Sequence, residues 1–395
     1  MESAAQRTFR SDDDVRRLTV AEKTVIIRRF SARLDAAMSA APPTKQWVKQ
    51  ALGRQGGPRC PTRLRRLSMD IILRYGDAMA DLFCQYPDDV VFAQPYDLFV
   101  GYQSPDQPYP IDPIAALTED ARWTDEWGTG WRHAAGGVGA STISNPLADW
   151  SQLDAYLARS MPDPRAPGRL DGVLPAIRAH GETKYLCGMI HLMLFERLHC
   201  LRGMENTLAD FHLFPDEVHR LLDALTDYCV ELVRAWAQLG GVDALFLTDD
   251  WGTQASLMIA PAMWRKFFAA RYRRIFDEVH RHGMQVIFHS CGNVMGIIGD
   301  LIDVGVDVLD PVQPEAMDLG RIAREFGGKV AFAGGISDQR LVAFSPQQVR
   351  DQVRWAIDTL GSRFGHAYLV APSNMLVPDV PLDNLAAVVE TSHSP

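Results

Sequence analysis

The chain has 395 residues, 47% of them hydrophobic, and a formal net charge of -9. That is enough apolar material for one barrel-sized domain plus an extension, and the acidic balance argues against a nucleic-acid partner. No apolar run is long enough to span a bilayer, and the opening Met-Glu-Ser-Ala-Ala-Gln-Arg has no apolar signal core, so a cytoplasmic protein is expected.

Residues 1–65 read as a helical N-terminal extension and linker. Thr19 is placed to cap a helix, with Glu22 as its capping-box partner, and Ile26, Ile27, Phe30, Leu34 and Met38 follow at amphipathic spacing. Ala41-Pro-Pro ends that helix, and the Gly/Pro/Arg-rich stretch 53–61 links it to the rest. The helix is expected to pack on the following domain or on a second subunit, as in a homodimer. A second helix is predicted from Leu67 to about Cys84, then a short strand over Asp88–Ala93. Trp123–Trp131 alternates bulky and small residues like a hairpin. Gly136-Gly-Val-Gly reads as a turn and Pro162–Gly168 as a loop.

From Lys184 the pattern becomes strand–helix alternation. Strands are expected at Tyr185–Ile190, Ala244–Thr248, Gln285–Phe288, Val306–Leu309, Val330–Ala333 and Ala367–Val370. Helical patterns lie between them: Asp216–Gln238, Pro261–Arg281, Val294–Val304, Met317–Phe326 and Pro346–Leu360. Near-continuous apolar strands alternating with amphipathic helices imply a parallel sheet. Six such units, with one or two more before them, predict a (β/α)8 barrel over residues 66–395, whose chemistry would sit at the strand C-terminal ends.

The residues at those ends are polar. Thr248-Asp-Asp-Trp-Gly-Thr-Gln254 follows one strand, His289-Ser-Cys-Gly292 the next, then Asp310-Pro-Val-Gln313, Ala333-Gly-Gly-Ile-Ser-Asp338 and Ala371-Pro-Ser-Asn-Met375. His289 and Cys291 stand at i and i+2, so a continuing strand projects both to one side. An imidazole beside a thiol suits zinc; the plainer alternative is a core histidine and a core thiol. Asp249 and Asp250 would point to opposite faces. One could enter the mouth as a catalytic carboxylate or metal ligand while the other caps a loop or helix; the plainer alternative is that both are turn and capping residues. Gln254 and Gln313 read as hydrogen-bonding pocket residues, Trp251 as a pocket wall or packing. His199, His212, His219 and His280 read as surface or core residues. The six cysteines (60, 84, 187, 200, 229 and 291) show no Cys-x-x-Cys spacing, so most are expected to be free thiols of the core.

Four stretches carry a family resemblance: Val242–Gln254, His289–Asn293, Leu301–Gln313 and Phe332–Ile336. Together they resemble the uroporphyrinogen decarboxylase superfamily from about residue 66 to the C-terminus, which implies a distorted (β/α)8 barrel. The superfamily holds two chemistries, metal-free decarboxylation of uroporphyrinogen and zinc-dependent methyl transfer to or from a corrinoid protein. The His-x-Cys-Gly element resembles the second branch. On that resemblance His289 and Cys291 bind zinc and a corrinoid protein is the partner. The methyltransferases usually add a Cys from the loop that is here Ala371–Pro381, where Ser373 or Asn374 takes its place. The third ligand is then left to Asp249, Asp250, Glu182, Cys187 or none. Asn374 is counted with Trp251, Gln254 and Gln313 as substrate-binding. The decarboxylases' Arg-rich signature has its nearest counterpart in Arg63-Leu-Arg-Arg66, a poor match. The alternatives to methyl transfer are a decarboxylase of uroporphyrinogen type and a metal- or tetrapyrrole-binding barrel without turnover.

Overall fold

The computed structural model describes residues 9–94, 102, 113–135 and 139–394. The turn expected at Gly136-Gly-Val-Gly lies, apart from Gly139, outside them. The strands in chain order are β1 (Val90–Ala93), β2 (Ala121–Thr124), β3 (Gly130–His133), β4 (Ser141–Ser144), β5 (Tyr185–Ile190), β6 (Ala244–Thr248), β7 (Gln285–His289), β8 (Val308–Val312), β9 (Ala331–Ile336) and β10 (Tyr368–Pro372). Seven of them form one parallel sheet in the order β1-β5-β6-β7-β8-β9-β10. The expected Trp123–Trp131 hairpin is β2 and β3, to which β4 adds a third antiparallel strand.

The apolar strands divide by parity. Val90, Tyr185, Cys187, Met189, Ala244, Phe246, Ile287, Val308, Ala331, Ala333, Ala367 and Leu369 form one buried cluster that draws on all seven strands or their flanks. Side chains from both sheet edges can meet there only if the sheet curls, so this is its inner face. Alternate residues such as Leu186, Leu245, Val286 and Phe332 face outward into the core shared with the helices. Pro215–Leu239 is the longest of these helices, with Leu221, Leu222, Leu225, Cys229, Leu232, Val233 and Trp236 buried along one stripe.

The eighth strand of the expected barrel is not a regular strand. Between β10 and β1 runs the extended segment Pro61–Arg63. Pro61 O accepts from Val370 N at 2.8 Å, Arg63 N donates to Val370 O at 2.9 Å, and Thr62 O accepts from Asp89 N at 3.1 Å. Proline at 61 has no N–H to give, which disfavours a full ladder. The segment runs on beside the last strand, with Leu67 bridging Leu376.

Val48 and Leu52, from the helix Lys45–Leu52, lie in the inner-face cluster, so that helix belongs to the sheet it covers. The helix Val20–Ala40 has the capping box expected of Thr19 and Glu22. It buries Ile27, Phe30, Leu34 and Met38 and packs on the helix Met69–Gln85.

One ion pair ties helix to sheet near the strands' N-terminal ends. His280 Nε2 lies 2.7 Å from Asp307 Oδ2, which also accepts from Val286 N. The hydrogen bond to Asp307 raises the His280 pKa, against the effect of burial. A histidine with a raised folded pKa adds stability that is full below about pH 6.5 and lost as pH rises through the folded value. His280→Gln is therefore expected to lower the urea midpoint in mildly acid buffer and leave it unchanged in mildly alkaline buffer, as read by denaturant titration at both.

Candidate metal centre

The inner-face parity carries past the last residues of the strands. Thr248 pairs with His289 and His289 with Asp310 in register, so Asp250, Cys291 and Asp310 reach the same rim. Cys291 Sγ is 3.4 Å from His289 Nε2, and His289 Nε2 is 3.8 Å from Asp250 Oδ1. The ligand atoms of Asp250, His289 and Cys291 all lie within 4.8 Å of one another. Ligands bound at about 2.0–2.3 Å around a tetrahedral ion stand roughly 3.3–3.8 Å apart, so these side chains need little movement to share one. Of the other third-ligand candidates, Cys187 is buried in the inner cluster and Glu182 is exposed.

Asp310 organises the imidazole. His289 Nδ1 lies 2.5 Å from Asp310 Oδ1, which fixes the ring and leaves Nε2 toward Cys291. That is the carboxylate–histidine arrangement common behind metal-binding histidines. Asp310 is fully buried. Burial works to raise its pKa, but Arg63, the contact with His289, and Arg66 outweigh it and hold the carboxyl well below the ordinary range. Arg63 Nη1 donates to Asp310 Oδ2 at 3.1 Å, and Arg66 Nη1 is 3.6 Å from Oδ1. The Arg63 guanidinium also sits 3.9 Å from the Phe92 ring centroid and 4.5 Å from that of Phe246.

The Cys291 thiol is pushed well above its usual pKa, first by burial and then by Asp250. A bound cation would reverse that balance, because a metal ion lowers the pKa of a coordinating thiol. The donor set of one sulfur, one imidazole and one carboxylate fits zinc.

The adjacent aspartates part ways. Asp250 is half-buried at the rim and its Oδ1 accepts from Cys291 N at 2.8 Å. Asp249 is fully buried on the outer side, where it accepts from Leu194 N and Phe195 N at 2.9 Å, Glu196 N at 2.7 Å, and Tyr272 OH. It anchors the start of the helix Phe195–Arg202, on the face opposite to the one Asp250 takes. Trp251 also turns outward. It is fully buried, stacks on Phe195 at 4.3 Å and donates to Tyr272 OH at 3.0 Å, so it is packing and not a pocket wall. Gln254 is exposed on the following loop. Gln313 is buried and its Oε1 accepts from Gly292 N at 3.0 Å, holding the metal loop in place. Asn374 uses its side-chain oxygen to accept from Met375 N at 2.7 Å.

Two glycines let the rim loops cross. A Cβ on Gly252 would stand 2.5 Å from Asn293 N, and one on Gly292 would stand 2.3 Å from Gly252 O. Gly292 also has φ +78°, where a side chain is strained. Gly292→Ala is expected to displace Cys291, lowering stability by about 1–3 kcal/mol and weakening metal binding. Denaturation and zinc titration of one preparation read both.

Asp310, Arg63 and Arg66 stand around the imidazole in roles that sequence patterns did not give them, and Glu196, from the helix Phe195–Arg202, accepts from Thr248 Oγ1 at 3.1 Å. Burial and then the charges of Asp250 and Asp249 push Glu196 well above its normal pKa. Burial, then Arg197, pull His199 down to about 4, with Asp250 opposing.

The profile of the uroporphyrinogen decarboxylase (URO-D) family matches residues 135–395, more than half the chain. The chain belongs to that family. Its curated relatives include the uroporphyrinogen decarboxylase of Thermus thermophilus, 29% identical over 173 residues, which is 44% of this chain and 47% of the relative. That of Azoarcus sp. is 26% identical over 184 residues, 45% and 48% of the two chains. This URO-D-family chain thus aligns with about half the length of those relatives. Among solved structures, a methyltransferase from Methanosarcina mazei superposes with a TM-score of 0.62 over 89% of this chain and 98% of its own, at 17% identity, a likeness of fold. Among the described residues, no helix is long and apolar enough to cross a membrane.

Proposed function

We propose that this URO-D-family chain is a zinc-dependent methyltransferase or demethylase that moves a methyl group between a small substrate and a corrinoid carried by a partner protein. The observation that carries the reading is the Asp250–His289–Cys291 cluster with Asp310 behind the imidazole. The fold shared with the Methanosarcina methyltransferase agrees with it. Asp250 Oδ, His289 Nε2 and Cys291 Sγ would hold the zinc. Bound there, zinc supplies a Lewis acid for the substrate heteroatom, lowering the pKa of a thiol or loading an ether oxygen as a leaving group. Asp310 keeps the imidazole oriented, and Arg63 and Arg66 hold Asp310 ionised. Pro61–Arg63 would complete the ring of strands, and the rim at the strands' C-terminal ends would face the corrinoid protein.

The second reading, decarboxylation of uroporphyrinogen, has the names of the sequence relatives in its favour. Against it, Arg63 is turned inward onto Asp310 and two rings, where it cannot grip a substrate carboxylate. Elemental analysis of purified full-length protein separates the two. About one zinc per chain, lost in Cys291→Ser, is the expected result. A metal-free chain whose Cys291→Ser variant releases carbon dioxide from uroporphyrinogen as the parent does would end the methyl-transfer reading.

A further inference from the structure

Beyond the metal cluster, the rim carries a second polar group at the ends of β8, β9 and β10. Glu315 follows β8, Ser337 and Asp338 follow β9, and Ser373 follows β10. Ser337 Oγ donates to Glu315 Oε1 and accepts from Arg340 N at 3.0 Å. Ser373 N donates to Ile336 O at 2.8 Å, which continues the parallel register and sets Ser373 beside Ser337. Both share the inner-face parity of Ala331, Ala333, Ala367 and Leu369, and both are fully buried. Arg66 joins this group to the metal side, with Nη1 3.5 Å from Ser373 O and 3.6 Å from Asp310 Oδ1. Asp338 directly follows Ser337, whose Oγ bonds Glu315; burial raises the Asp338 pKa against its own backbone N–H, with Glu315 adding to the rise and Arg66 opposing it.

Among the described residues, three polar atoms of this group have no hydrogen-bond partner, the carboxylate oxygens Glu315 Oε2 and Asp338 Oδ1 and the Ser373 hydroxyl oxygen, which can also accept, each a buried atom. Buried polar atoms are normally satisfied, and leaving one unsatisfied is unfavourable. Three together, on consecutive strand ends of one rim, are the complement of a donor. A primary ammonium offers three N–H donors and one positive charge. A carboxylate or sulfonate offers only acceptors and would meet two carboxylates. Arg340 Nε, 3.6 Å from Glu315 and half exposed, offsets part of that charge, and Arg66 is engaged with Asp310.

We infer that Glu315, Asp338 and Ser373 form a substrate subsite for a primary ammonium group at the end of the substrate remote from the metal-bound heteroatom. This rests on the zinc reading of the cluster, and it narrows the substrate to an amine-bearing small molecule.

The test uses cobalt-loaded full-length protein and alkanethiols of increasing length ending in an amine, a methyl or a carboxylate. Thiol ligation is followed by the cobalt absorption and affinity by calorimetry. At the length that spans the two sites, the amino-ended thiol is expected to bind roughly ten-fold tighter than its methyl-ended partner, and the carboxylate-ended one more weakly. In the Glu315→Gln, Asp338→Asn double variant that preference should vanish while the methyl-ended thiol binds as before. Ser373→Ala should melt no lower than the parent, since its hydroxyl has no partner to lose among the described residues, yet bind the amino-ended thiol less tightly. Equal affinity for all end groups at every length, or preference for the carboxylate, overturns the subsite. If no thiol perturbs the cobalt spectrum, the metal reading falls instead. Aminoalkanols titrated onto the metal-free chain then decide the subsite alone: binding lost in the double variant upholds it, and no binding overturns it.

Discussion

Asp310→Asn is expected to lower folding stability by about 3–5 kcal/mol and zinc affinity by about 10–100-fold. The substitution keeps shape and removes charge, so its effect is electrostatic and not a cavity. Arg63 is already pulled down to about 10 by burial, with Asp310 as the main opposing influence. Without that carboxylate a buried guanidinium loses its counter-ion, and His289 loses the acceptor that fixes its ring. The carboxyl is held below the ordinary range, so its contribution is present above about pH 4 and lost as pH falls through the folded value. Parent and variant should therefore differ by a constant amount across neutral pH and converge in strong acid. Denaturant titrations over that range, with competition against a chromophoric chelator for zinc, measure both effects. A variant matching the parent in stability and affinity would make Asp310 a bystander.

The i, i+2 rule made much of this rim legible from the sequence. It placed His289 and Cys291 together, and it separated Asp249 from Asp250, because strand parity survives into the first residues past a strand. The same rule applied to Val308 and Asp310 would have sent that carboxylate to the inner face as well. What single strands cannot reveal is register. That Asp250 completes the cluster, and not Glu182 or Cys187, follows from Thr248 lying level with His289, a relation between segments 41 residues apart. Arg63 and Arg66 were noticed only as a poor match to the decarboxylases' signature, and their place beside Asp310 was hidden for another reason. Their segment has a proline and a run of basic residues where a strand should be apolar, and it earns its place through backbone bonds to Val370 and Asp89. Trp251 stood open between pocket wall and packing because a large aromatic after a strand end suits a cleft as well as a core. Its place was decided by Phe195 and Tyr272, far away in sequence.

Asp249→Asn is expected to cost about 3 kcal/mol or more of stability while leaving zinc content intact. The parent carboxylate takes three donors on Oδ2, from Leu194 N, Phe195 N and Tyr272 OH, and one on Oδ1, from Glu196 N. An amide can turn its oxygen to only one of those positions, and its NH2 then opposes a donor at the other, stranding at least one buried group at about 1–3 kcal/mol each and more where a charge was involved. The pH dependence identifies the group. Burial, working against Tyr272 and the backbone donors, pushes Asp249 up to about 6. A carboxyl raised in the folded state adds stability that is full below its unfolded pKa of about 4 and lost as pH rises through the folded value. The gap between parent and variant should therefore widen as pH falls from above 6 toward 4, opposite in sign to the Asp310 pair. Asp250→Asn gives the complementary pattern: stability near that of the parent, because its carboxylate is half-buried at the rim, with zinc affinity reduced. Unfolding curves and zinc content for the two single variants separate scaffold from ligand within one pair of adjacent residues. Equal zinc loss in both would mean that Asp249 reaches the ion after all.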